Sequence, residues 1–311
     1  MAAEDRSDDD RDRARKSARA LDEVAAARAL RRIADASKPP WLHEEVARRL
    51  GERLGPMRIE PSRILDWWPA IGAGAAVLHA AYPRAQRVAV EPSAARVHAS
   101  GPTAKTQSWW SLARRGRAPA FDDAASDVEL GRAQLVWANM VLHFVADPPA
   151  LFARWHSLLD VEGLVVFSCP GPGALRELRL LYADCGWPAP TPGFIDMHDL
   201  GDMMVHAGFA DPVLDQETLS LRWKSADALL AELHQLGGNT APGRVAGLRT
   251  PAWRRRLLAA LSERADADGG ILMSIEVAYG HGFKAAPRQR AGDPVSVPLE
   301  TMRAMVRQRR T

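Results

Sequence analysis

Glu91 closes the apolar run Val88-Ala89-Val90, and an acid at the carboxyl end of a buried strand can accept hydrogen bonds from both hydroxyls of a ribose. Upstream, Asp66-Trp67-Trp68-Pro69-Ala70-Ile71-Gly72-Ala73-Gly74 carries a strand into a helix. Its glycines, Gly72 and Gly74, lack the Cβ that would obstruct a closely approaching ligand or backbone. That pair suits a nucleotide loop, and it equally suits a helix start packed tightly on a strand. His143 follows Asn139 at the mouth of a later strand, where open α/β sheets bind ligands, or it anchors a loop. Arg179 offers a planar fork for a carboxylate, or pairs on the surface with Glu177 or Asp184. His198, in Asp196-Met197-His198-Asp199, has acids on both sides to orient its ring, while Asp196 also suits a helix N-cap. The histidines are scattered, and Cys169 and Cys185 are no close pair with His partners, so no metal site is expected and Cys169 reads as a buried free thiol. Gly-x-Ser-x-Gly is absent where a strand meets a helix, which argues against a serine hydrolase.

Alternating elements must position these residues. Leu42, Val46, Ala47, Leu50 and Leu54 share one face of a helix predicted over Trp41 to Leu54. Ile64-Leu65, a helix from Gly72 to Ala81 and Arg87 to Val90 form a βαβ unit. Strands at Gln134 to Trp137 and Gly163 to Ser168 flank a helix at Ala150 to Leu159. Helices at Gly173 to Asp184, Met197 to Ala207 and Ser225 to Leu236 follow, with strands at Pro212 to Thr218 and Leu272 to Tyr279. This pattern predicts an α/β fold with a doubly wound, mostly parallel sheet whose last strand is antiparallel.

Three segments are expected: a charged extension over 1–37, disordered and then a solvated helix; a main domain over 38–284; and a basic flexible tail over 285–311. The 41 basic and 38 acidic residues nearly balance, so charge gives no reason to expect nucleic-acid binding. Apolar runs such as Ile271 to Ala278 fall short of the roughly 20 residues a spanning helix needs. With two cysteines and no leader pattern, a cytoplasmic protein is expected.

Longer stretches resemble one family. Leu135-Val136-Trp137-Ala138-Asn139-Met140-Val141-Leu142-His143-Phe144 and Phe167-Ser168-Cys169-Pro170-Gly171-Pro172-Gly173-Ala174-Leu175-Arg176-Glu177-Leu178-Arg179 are similar to the fourth and fifth strands of the malonyl-carrier-protein methyltransferases of biotin synthesis. Phe194 to Asp202, Ala207-Gly208-Phe209, Leu236-Gly237-Gly238-Asn239 and Glu276 to His281 extend the likeness over about Trp41 to Lys284. The mitochondrial complex I assembly factor, understood as an arginine hydroxylase, is a second branch with the same fold.

The resemblance implies a Rossmann-like class I methyltransferase fold and an enzyme using S-adenosylmethionine. Asp66, Ala70, Gly72, Gly74, Glu91, Asn139 and Met140 would then line the cofactor site, and His143, Arg179 and His198 the substrate site. Its acceptor would be the free carboxylate of a malonyl thioester on an acyl carrier protein or coenzyme A. A carboxylate is already ionised near neutrality, so no general base is demanded and no catalytic residue is named. Arg114-Arg115-Gly116-Arg117 or Arg254-Arg255-Arg256 could meet an acidic carrier, or are solvated surface charge.

The family loop departs here from its pattern. Trp68 and Ala70 stand where its first two glycines would be, and the Trp68 indole either turns into the core or fills the space of a methionyl group. The third strand, read at Gln107-Ser108-Trp109-Trp110-Ser111, offers no carboxylate for an adenine amino group. A second reading therefore stays open: a binding or assembly protein that keeps the fold and has lost the methyl donor.

Overall fold

In the computed structural model, residues 21–93, 97, 120–245, 247 and 249–286 are described. Helix α1 (Glu23–Asp35) and α2 (Trp41–Glu52) precede β1 (Arg63–Trp67), a one-turn α3 (Pro69–Gly72), α4 (Ala75–Ala81) and β2 (Gln86–Glu91). There follow β3 (Ala120–Asp122), α5 (Asp127–Leu130), β4 (Ala133–Asn139), a 3-10 turn at Leu142–Phe144, α6 (Pro148–Leu158) and β5 (Leu159–Pro170). The remainder is α7 (Arg176–Asp184), α8 (Met197–His206), β6 (Phe209–Trp223), α9 (Ala226–Gln235), α10 (Pro251–Ser262) and β7 (Ile271–Lys284).

The strands form one sheet in the order β3-β2-β1-β4-β5-β7-β6, with β7 antiparallel to both neighbours and the other pairs parallel. β4 lies at its centre and is buried almost throughout, as a strand covered on both faces requires. Its side chains alternate: Val136 and Ala138 face α1, α6 and α8, while Leu135 and Trp137 face α2 and α4. A third cluster joins α7, α9 and α10 over the antiparallel β6–β7 pair, through Leu178, Leu229, Leu257 and Met273.

Three expectations are corrected. α1 is not a solvated helix, because Ala26, Ala29, Ile33 and Ala34 recur along one face and are buried against the core. Asp22 caps it, accepting from the Ala25 amide at 2.9 Å. The single helix predicted over Gly72 to Ala81 is two, broken where Ala73 adopts a left-handed conformation. The strand that pairs with the outer edge of β2 is Ala120–Asp122, which was not among the expected strands; Gln107 to Ser111 lies outside the described residues, as do Arg114 to Arg117 and the segment 287–311. No helix among the described residues is long and apolar enough to cross a membrane.

Candidate active site

The carboxyl ends of β1, β2, β3 and β4 converge on one crevice edge, the binding position of open α/β sheets. β1 delivers Asp66, which is buried beside Arg87 on β2, whose Nη1 donates to Oδ2 at 3.1 Å. The second oxygen, Oδ1, has no hydrogen-bond partner among the described residues. Burial pushes this carboxyl up to about 7 against the pull of Arg87, and the nearby Glu91 adds to the push.

Trp68 then turns the chain with φ 54° and ψ 54°, the left-handed region that a glycine would occupy freely. For a residue with a side chain this costs on the order of 1–2 kcal/mol. Its amide donates to Val90 O at 2.7 Å, and its indole Nε1 donates to Asp123 Oδ2 at 3.2 Å. The ring is 6% exposed and belongs to the core cluster that includes Ala26, Ala29, Ile33, Ile71 and Val90.

β3 brings carboxylates to the tip beside β2. Asp122 lies opposite Glu91 in the β2–β3 register, and the Asp123 amide donates to Glu91 O at 2.8 Å. The tips of β2 and β3 thus hold Glu91, Asp122 and Asp123 together. Desolvation raises the Asp123 carboxyl, and the Trp68 indole opposes the rise by donating to it. The signal in the sequence was the acidic pair directly after Ala120-Phe121, hidden because a three-residue strand has too little alternation to read.

Gly72 and Gly74 are explained by packing. A Cβ on Gly72 would stand 2.9 Å from Asn139 O, and one on Gly74 would stand 2.2 Å from Trp137 Nε1. Both residues seat α3 and α4 on β4, and Ala70 packs partly buried against the core. Asn139, expected toward the cofactor, instead spends its amide inside the fold. Its Nδ2 donates to His43 O at 2.9 Å and Gly72 O at 2.6 Å, while Oδ1 accepts from Ser168 Oγ at 2.7 Å. Met140 is buried with φ 54°, and its amide donates to Ser168 O at 3.0 Å.

His143 occupies the 3-10 turn and lines two cavities, of about 340 Å³ and about 660 Å³. Its Nδ1 is buried without a partner among the described residues. Burial, and then the neighbouring His43 at 6.4 Å between ring centroids, lowers it to about 3, so the imidazole is neutral. His43 is itself lowered by burial to about 4 and donates Nδ1–H to Ile71 O at 2.8 Å.

The larger cavity has apolar walls, among them Leu42, Met140, Leu178, Phe194 and Ile275. Arg28, Arg32, Arg244, Arg249 and Arg254 also line it, and among the described residues no Asp or Glu does. Arg244 is tied to Asp22 at 2.8 Å and Arg254 pairs with Asp227, whereas Arg28 and Arg249 have no carboxylate partner among the described residues. Arg249 lies 4.1 Å over the Trp253 ring.

Two predicted substrate residues stand elsewhere. Arg179 lines neither cavity: it donates to Pro172 O near Glu276, and Glu177 and Asp184 are engaged by Ser274 and Arg264. The helix face turned to the cavity carries Leu175, Leu178 and Tyr182 instead, as three- and four-residue spacing dictates. His198 is exposed on the first turn of α8 and also lines neither cavity, and Asp196 caps that helix through the His198 amide at 2.8 Å.

Strand order and crevice define a methyltransferase-type α/β protein, and residues 41–212 match the family model described as a methyltransferase domain. A malonyl-[acyl-carrier protein] O-methyltransferase from Gallionella capsiferriformans is 36% identical over 251 residues, covering 79% of this chain and 85% of that one. The enzymes of the same name from Laribacter hongkongensis and Halorhodospira halophila are 36% and 35% identical, covering 80% and 88% of this chain and 84% and 93% of theirs. The chain belongs to the malonyl-[acyl-carrier protein] O-methyltransferase family of methyltransferase-domain proteins.

The donor implied by that fold, S-adenosylmethionine, meets a divided site. Glu91 suits a ribose, Asp122 and Asp123 suit an adenine amino group, and Asp66 retains an unpaired buried oxygen. The Trp68 indole, however, already holds Asp123. As the side chains stand, the adenine end of the donor does not fit.

Proposed function

We propose that this chain is an S-adenosylmethionine-dependent O-methyltransferase whose acceptor is the free carboxylate of a malonyl thioester on an acyl carrier protein. The observation that supports this reading best is the larger cavity: about 660 Å³ of largely apolar volume lined, among the described residues, by five arginines and by no acid. Such a lining favours a chain with an anionic end, and a basic rim suits an acidic carrier. Arg28 and Arg249, which have no carboxylate partner among the described residues, are the cations assigned to the acceptor. The neutral His143, with Nδ1 buried at the wall shared by the two cavities, supplies a hydrogen bond without adding charge. The donor, when bound, contributes an electrophilic methyl group. The acceptor oxygen is ionised at neutral pH, so these residues need only position it and exclude water.

The test is transfer of tritium from methyl-labelled S-adenosylmethionine to malonyl carrier protein, read as base-labile volatile label. Acetyl carrier protein, which lacks the free carboxylate, is the control. Label on the malonyl form alone, with KM raised about tenfold or more in Arg28→Ala or Arg249→Ala, is the expected result. Equal labelling of both carriers would refute the assigned acceptor.

A further inference from the structure

Trp68 stands in the donor site where the family loop carries a glycine, and it holds a left-handed backbone there. We propose that Trp68 is a resident occupant of the adenine seat, held there by Asp123, and that an adenine nucleoside enters only by displacing it. The inference rests on the transferase reading above.

The geometry places the ring. Trp68 follows β1, and Asp123 follows β3, two positions away in the sheet. Neighbouring strands lie about 4.8 Å apart, so the Trp68 and Asp123 side chains and the hydrogen bond between them together bridge roughly 10 Å across the tip of β2, where Glu91 stands. A nucleoside whose ribose is held by the acid of β2 and whose base reaches toward β3 makes the same crossing.

The chemistry matches as well. Indole and adenine are both flat fused bicycles, and each presents an N–H donor at one edge. Here that donor is Nε1, 3.2 Å from Asp123 Oδ2. The ring is almost wholly buried, so the seat it fills has no room for a second one. Ala26, Ala29 and Ile33 of α1 belong to the same buried core cluster as the ring.

The backbone supports displacement. A large side chain held at φ 54° persists only while its surroundings impose the conformation. Its surroundings are the Val90 carbonyl and the Asp123 carboxylate, to which it donates, and the core cluster it shares with α1. Glycine at this position would keep the turn and empty the seat.

The experiment is calorimetric titration of the full chain with S-adenosylhomocysteine, comparing wild type with Trp68→Gly, whose folding is verified by near-UV circular dichroism. A second measurement needs no emptied seat: 19F NMR of wild-type protein carrying 5-fluorotryptophan, with the Trp68 resonance assigned by its loss in Trp68→Phe. The expected result is affinity at least tenfold tighter in Trp68→Gly, and a Trp68 resonance that moves when wild type is saturated. Equal affinities with a stationary resonance would overturn the occupant while leaving the transferase reading standing. Absence of binding to both proteins at millimolar ligand would overturn both, leaving a binding protein that keeps the fold without the donor. Should Trp68→Gly not fold, the wild-type resonance decides alone: movement on saturation supports the proposal, and a stationary signal overturns it.

Discussion

Replacing Asn139 by alanine separates a structural amide from a ligand-binding one. The side chain is fully buried and makes three hydrogen bonds, to the carbonyls of His43 and Gly72 and from the hydroxyl of Ser168. Each buried polar group left without its partner costs about 1–3 kcal/mol, and the two carbonyls keep a second lone pair for other donors, so the total falls at about 3–5 kcal/mol. That is a large share of a typical stability of about 5–15 kcal/mol. With a urea dependence of about 3 kcal/mol per molar, toward the top of the usual range for a chain of this size, the unfolding midpoint should fall by about 1–2 M. Ser168→Ala, which removes one of the three bonds, should lower it by less than half as much. The assay is urea unfolding followed by circular dichroism, alongside S-adenosylhomocysteine binding by the Trp68→Gly background with and without Asn139→Ala. An unchanged midpoint with lost binding would refute the argument and return Asn139 to the ligand.

Asp66 makes stability depend on pH. Its carboxyl moves from an ordinary 3.8 to about 7 in the fold, so between those values the folded chain holds more protons than the unfolded one. Stability therefore falls as pH rises through that window and levels off above it. Asp66→Asn should remove this component, seen as a smaller drop in Tm between pH 5 and pH 8 than in wild type; equal drops would contradict it. For the thiols, burial pushes Cys169 up to about 12 while Cys185 is exposed. A disulfide reagent at pH 8 should titrate one thiol quickly in the native protein and two in guanidinium, and two fast native thiols would disprove the burial.

Long periodic segments were legible before any coordinates. α2 buries four of the residues its spacing selected, Leu42, Val46, Ala47 and Leu50, and the fifth, Leu54, is buried just past the helix end at Glu52; the continuous apolar run of β4 became the central strand. Failures came where the signal was short or made of small residues. β3 has three residues, and the aromatic pair at Trp109-Trp110 drew the assignment away from the acids that follow it. The stripe of α1 is largely alanine, set among arginines and aspartates, so its burial read as exposure. α10 was announced by Thr250 and Pro251 at its start, yet its arginines were read only as a patch. Side-chain direction was less legible still. The motif holding Arg179 was correctly placed on a helix, but whether the residue faces the cavity or Pro172 depends on where that helix begins, one residue after the left-handed Leu175. Trp68 is the converse: its unsuitability for the loop was plain, and only the position of Asp123 showed what its indole does there.

α1 turns one face into the core cluster that also holds Trp68 and another along the arginine-lined cavity, to which it contributes Ala25, Arg28 and Arg32. At its start, Asp22 donates its amide to Thr240 O and takes Arg244 as an ion-pair partner, so the helix is moored to the far rim. A single rigid rod therefore forms a party wall between two chambers. Any ligand whose affinity depends on how that rod sits changes the affinity of the neighbouring chamber, and by linkage the influence runs equally in both directions. A substitution that shifts α1 would then be expected to alter binding of donor and acceptor together.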